Sequence, residues 1–131
     1  MDTFWDTSAV VALLLQEPDT QSAQTAWSTT TRPWAWRWMV IETEAALSRR
    51  KAPPAAWTQL ANLLETIRLL DLDPERWDSL RAFNRALRLR AADAAHLFVC
   101  ERANTVIPGL HLVSFDAEQV AAARGMGLSV L

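Results

Sequence analysis

Strand-like and helix-like hydrophobic patterns alternate from one end of the chain to the other, and no other feature of the sequence narrows the fold as much. The stub Phe4-Trp5 precedes a helical segment over 8–16. Asp19 is placed to cap a second helix reaching Trp27, and the threonines at 29–31 with Arg32-Pro33 read as a loop. Trp34, Trp36 and Trp38 then alternate with Ala35 and Arg37, a period of two that predicts a strand running into Met39-Val40-Ile41. Helical patterns follow over 42–50 and, opened by Pro53-Pro54, over 55–65. The run 67–72 is the next strand candidate. Pro74 opens a helix with Trp77, Leu80, Phe83 and Leu87 on one apolar face, and 92–102 reads as another. Pro108-Gly109 turns into the strand LHLVSF, a helix over 117–124 stops at Gly125 and Gly127, and 128–131 can make a last short strand. Strands separated by helices imply βα units, so the expected fold class is α/β, with a short, mostly parallel sheet flanked by helices.

Size and composition fit that reading. The 131 residues correspond to one domain, 1–131, with half of them apolar and only three glycines, enough for a sizeable core. The one cysteine, Cys100, lies among Leu97, Phe98 and Val99 and reads as a packed hydrophobe; it excludes an internal disulfide and a cysteine-rich zinc site. The longest strictly apolar run, AVVALLL, is far short of the roughly 20 residues that cross a membrane. No basic segment precedes it, so a cytoplasmic protein is expected. A net charge of −2 excludes a bulk polyanion binder, although nearly all the basic charge is arginine, which suits phosphate and carboxylate recognition.

The acids sit where chains enter helices. Asp6 follows the Phe4-Trp5 stub, and Asp116 follows LHLVSF in the same way. Ligands in open parallel sheets bind at the carboxyl ends of strands, so these two are expected on one edge. Glu42 begins the helix expected after WMVI, and Asp93 lies in the first turn of AADAAHLFVC. Each acid taken singly can be a helix cap or a complement to the helix dipole. Four together point to a shared metal site, because converging carboxylates repel unless a hard cation neutralises them, and all-oxygen ligands favour Mg²⁺ or Mn²⁺. Such ions serve phosphoryl hydrolysis.

With these residues in view, the chain resembles the PIN-domain ribonucleases, and within them the VapC-like toxins of type II toxin–antitoxin systems. WDTSAVVALLLQE, IETEAALSRR, LRAADAAHLFVC and LVSFDAEQVAAARGMGL are similar, in that order, to the family's four motifs. The resemblance implies one PIN-like domain whose Asp6, Glu42, Asp93 and Asp116 bind Mg²⁺ or Mn²⁺ and cleave RNA, with Ser8 hydrogen-bonding in the site. On that view Asp6 holds metal while Thr7 and Ser8 cap the helix. It also implies a cognate antitoxin and a homodimer. Glu44 competes with Glu42, but two residues are about 200° around a helix, so both cannot face one pocket, and the family's spacing to Leu47 and Arg49 favours Glu42.

Other features carry alternatives. Arg81, Arg85 and Arg88 fall at i, i+4, i+7 and form a stripe that is either solvated or a phosphate track; Arg49 belongs to a second such cluster. His96, one turn after Asp93, reads as structural in this resemblance, and His111 reads as a sheet residue. Trp34, Trp36 and Trp38 are read as core or protein interface rather than base-stacking platforms. The competing functions are a Mg²⁺-dependent phosphatase, against which Ser8 stands where an Asp-x-Asp pair would need a second aspartate, and a non-catalytic binding module.

Overall fold

The computed structural model describes residues 1–131. Five strands, β1 (Asp2–Trp5), β2 (Arg32–Trp36), β3 (Arg68–Leu70), β4 (His111–Val113) and β5 (Ser129–Val130), form one wholly parallel sheet. Their spatial order is β3-β2-β1-β4-β5. Seven helices connect and cover them: α1 (Thr7–Leu14), α2 (Thr20–Thr29), α3 (Trp38–Arg49), α4 (Pro54–Thr66), α5 (Trp77–Leu87), α6 (Ala91–Asn104) and α7 (Ala117–Gly125). The chain winds outward from β1 to β3, then returns to place β4 on the other side of β1. The strand order therefore reverses between β1 and β4, and a crevice opens beyond their carboxyl ends.

Register ties this crevice to the core. Phe4 pairs with Leu112 and Trp5 with Val113. Successive strand residues point to opposite faces, so Phe4 and Leu112 pack with Leu97, Cys100 and Ala123 on one side. Trp5 and Val113 pack with Val10, Met39 and Leu60 on the other. Burying an aromatic side chain of this kind stabilises by roughly 2–3 kcal/mol. Cys100 is enclosed, and burial pushes its thiol up to about 12, which suits a packing residue.

Three expectations need correction. The tryptophan strand does not extend through Met39-Val40-Ile41: β2 ends at Trp36, and Trp38 already belongs to α3. Met39, Thr43, Ala46 and Leu47 are buried at helical spacing, and that deeper period wins over the alternation of the aromatic rings. Glu42 consequently lies in the second turn of α3 rather than at its start. Arg32-Pro33 is strand rather than loop, because Pro33 enters β2 at its second position, opposite Thr3. Asp19 precedes α2 but makes no side-chain cap; the Thr20 hydroxyl accepts from Glu17 N–H and donates to the Leu15 carbonyl instead.

The aromatic surface also departs from the pattern. On α5 Leu80 is buried and Phe83 and Leu87 are partly so, but Trp77 is 54% exposed. The helix ends at Leu87, and Arg88 takes a left-handed conformation with φ 59°, so it does not continue the stripe of Arg81 and Arg85. Trp34 is half-buried, donates to Asp2 and lies under the Arg68 guanidinium. Trp36 sets its ring edgewise to His96, and Trp38 is 45% exposed.

Candidate active site

The carboxyl end of β1 passes to α1 through Asp6 alone, and that of β4 passes to α7 through Ser114, Phe115 and Asp116. Asp6 is the N-cap of α1, its Oδ1 accepting from Ala9 N–H at 3.1 Å. Asp116 is the N-cap of α7, its Oδ1 accepting from Gln119 N–H at 2.9 Å. This corrects the division of labour expected around Asp6: the aspartate itself caps the helix, while Ser8 donates to its Oδ1 at 2.7 Å. Capping engages one oxygen in each case and leaves the second to other partners, Ser114 at Asp6 and Arg90 at Asp116.

Asp6, Glu42, Asp93 and Asp116 all line one open cleft of about 270 Å³, together with Thr7, Ser8 and Arg90. Four different helices deliver them: α1 through its cap, α3, α6 and α7 through its cap. Glu44 is exposed and lies outside this cleft. A wider groove of about 460 Å³ shares Thr7, Ser8, Glu42 and Arg90 with the cleft and continues past Ala45 to Arg49. The small Ala45 side chain leaves that face of α3 open. Arg81, Arg85 and Arg88 line neither space, and no tryptophan does.

The carboxylates are held unequally. Glu42 Oε1 receives the Thr7 hydroxyl at 2.8 Å and His96 Nε2 at 2.6 Å. Burial raises the Glu42 carboxyl, but the His96 hydrogen bond and charge with the Thr7 hydroxyl outweigh it and hold the carboxyl below its ordinary value. His96 is itself enclosed, with no partner at Nδ1, so the imidazole serves chiefly to fix Glu42. For Asp93, burial and the neighbouring Asp116 charge push the carboxyl up against the pull of Arg90. The Arg90 guanidinium joins the two, donating from Nε to Asp93 at 3.1 Å and from Nη2 to Asp116 at 3.2 Å.

Asp6 is only 2% exposed, and burial drives its carboxyl upward despite the Ser8, Ala9 and Ser114 hydrogen bonds and the His96 charge. A proton count explains how it is accommodated. The Ser114 hydroxyl lies 2.9 Å from Asp6 Oδ2 and 2.7 Å from Gln119 Oε1, and also accepts from Asp116 N–H. Gln119 Nε2 donates to the Asp93 carbonyl, which turns its Oε1 toward Ser114. One hydroxyl proton cannot satisfy two acceptors. With Asp6 protonated the chain closes: Asp6 donates to Ser114, and Ser114 donates to Gln119.

The residues present suit a hard divalent cation. Their donors are carboxylate oxygens from four elements, burial and then the Asp116 charge raise Asp93, and a guanidinium already lies between two of them. As the side chains stand, no three His, Cys, Asp or Glu groups form a cluster that could hold an ion. Sequence reasoning missed Arg90, Ser114 and Gln119, and gave Thr7 a capping role rather than its hydrogen bond to Glu42. Only Arg90 carried a local signal, since it stands three residues before Asp93 at the cap of α6.

The fold and cleft define an α/β domain with an acidic strand-end crevice, and the PIN-domain family model matches residues 3–125. The chain belongs to the PIN-domain family. No curated protein matches it in sequence. Among solved structures it is similar to Mycobacterium tuberculosis VapC20, a sarcin–ricin loop cleaving toxin, at 21% identity and a TM-score of 0.73, over 92% of this chain and 95% of that one. It also resembles a toxin–antitoxin complex chain from Klebsiella pneumoniae (16% identity, TM-score 0.69, 95% and 94% coverage). PAE2754 of Pyrobaculum aerophilum is similar at 22% identity and a TM-score of 0.66, over 92% and 84%. These likenesses show a shared fold. No helix is long and apolar enough to cross a membrane.

Proposed function

We propose that the chain is a metal-dependent endoribonuclease acting as the toxin of a toxin–antitoxin pair. The observation that carries this reading is the cleft at the β1/β4 crevice, lined by Asp6, Glu42, Asp93 and Asp116, in a member of the PIN-domain family. Asp6, Glu42, Asp93 and Asp116 are the residues that would hold Mg²⁺ or Mn²⁺. A divalent ion bound there supplies an activated water and neutralises charge on the scissile phosphate.

The remaining work falls to the chain itself. His96 and Thr7 fix one Glu42 oxygen, so that the carboxylate needs no reorganisation when substrate arrives. Ser8 donates to Asp6 and accepts from Phe115 N–H, which binds the β1 and β4 ends together. Arg49, which lines the wider groove, would meet a flanking RNA phosphate. An antitoxin would inhibit by filling the same cleft with a cationic side chain. A second copy of the chain would find an apolar surface in Trp38, Ile41 and Trp77, which border one groove.

The test is cleavage of total small RNA by the purified protein, freed of any antitoxin, during titration with Mn²⁺ and Mg²⁺. Discrete metal-dependent fragments, lost in Asp93→Asn, are the expected result, and the fragments identify the substrate. Metal binding without cleavage would favour a phosphatase, and absence of metal binding would sink the reading.

A further inference from the structure

Arg90 is the one cation shared by the acid cleft and the wider groove that leads to Arg49. It stands at the cap of α6, and its side chain spans from the first turn of that helix to the cap of α7. Its side chain is 82% exposed, so hydrogen bonds to two carboxylates in such a position are screened by water and contribute little to the fold. The geometry nonetheless commits the Nε and Nη2 donors of one guanidinium to two acids that repel each other. A single delocalised positive charge is also a poor match for Glu42, Asp93 and Asp116 lining one cleft.

We propose that Arg90 is a displaceable counter-cation: its guanidinium bridges Asp93 and Asp116 while the cleft lacks a divalent ion, and swings into the groove to hold a substrate phosphate once an ion is bound. The inference rests on the nuclease reading. An entering divalent ion and the guanidinium repel each other across the same two carboxylates, which favours departure of the guanidinium. The exposed side chain has nothing packed around it to resist that motion, and the groove it borders is where an RNA backbone would run. Arg90 thus makes the two cations competitive at the acids and cooperative on the substrate.

Two opposite effects follow from Arg90→Gln, a surface substitution that leaves the fold intact. Isothermal titration with Mn²⁺ should show tighter binding, by roughly three- to tenfold, because the resident charge no longer competes. Anisotropy of a fluorescein-labelled single-stranded oligoribonucleotide, in Ca²⁺ to slow chemistry, should show weaker binding and a salt dependence shallower by about one phosphate contact. Unchanged or weaker Mn²⁺ binding in the variant overturns the competition, and unchanged oligonucleotide binding overturns the clamp. If the unsubstituted protein takes up no Mn²⁺ at all, the nuclease reading fails and this inference with it. Mn²⁺ uptake by both proteins with equal affinity removes the Arg90 inference alone.

Discussion

Replacing Asp6 by asparagine should stabilise the protein when metal is absent and weaken it relative to the parent when metal is present. The reason lies in the count of protons around Ser114. With Asp6 ionised, Asp6 Oδ2 and Gln119 Oε1 compete for one hydroxyl proton, and one enclosed acceptor is left unpaired. An unpaired buried acceptor costs about 1–3 kcal/mol. Asparagine keeps the oxygen that accepts from Ser8 and Ala9, while its amide donates to Ser114, which then donates to Gln119. The second amide hydrogen recovers less, so the net gain expected is about 1–2 kcal/mol. In a domain of this size that corresponds to roughly 3–8 °C in Tm.

The pH dependence has a definite sign. Asp6 is raised above its ordinary 3.8 by burial, so between that value and its raised one the folded state binds a proton that the unfolded state has lost. Over this window the parent loses stability as pH rises, and Asp6→Asn, lacking the group, does not. Urea unfolding in EDTA from pH 4 to neutrality should therefore show a gap that opens with pH. Adding Mn²⁺ should reverse the order, since an ion at about 100 times its Kd stabilises the parent by about 2.7 kcal/mol. A variant less stable than the parent in EDTA at neutral pH, or a gap that closes as pH rises, refutes the proton count.

Further substitutions separate site from scaffold. Glu42→Gln should abolish RNA cleavage, whereas Glu44→Gln, exposed and outside the cleft, should leave the cleavage rate and Tm unchanged. His96→Ala removes an enclosed ring and the 2.6 Å partner of Glu42, and should cost about 2–4 kcal/mol in urea unfolding. Thr43→Val should raise stability by about 1 kcal/mol, because the buried Thr43 hydroxyl has no hydrogen-bond partner and valine fills the same volume. A loss of stability in Thr43→Val would show that the hydroxyl is satisfied in solution.

The acids were legible in the sequence because a strand end is a local event. A stub such as Phe4-Trp5 followed by Asp6 and an apolar helix announces a βα junction, and the same carboxylate caps the helix and faces the crevice. Asp116 repeats that logic at β4. Boundaries failed where two periods overlapped: the ring alternation of Trp34, Trp36 and Trp38 ran straight into the helical spacing of Met39, Thr43 and Leu47, and only packing against β1 and α1 decides between them. Trp77 misled for the opposite reason, since it continues the apolar face of α5 beyond the surface that the rest of the domain covers.

Apart from Ser8, two residues after Asp6, the partners of the acids were not legible, because most of the pairings span long separations in sequence. Ser114 meets Asp6 across 108 residues, His96 meets Glu42 across 54, and Arg90 reaches Asp116 across 26. Each pairing depends on register, above all on Trp5 lying opposite Val113, which puts the residues that follow, Asp6 and Ser114, side by side. A one-residue slip would bury Asp6 without its hydroxyl and turn Phe4 and Trp5 to the wrong faces. The core register and the acid cleft are therefore one constraint. The hydrophobic pairing that folds the sheet is also what brings the Ser114 hydroxyl to the one carboxylate that cannot reach water.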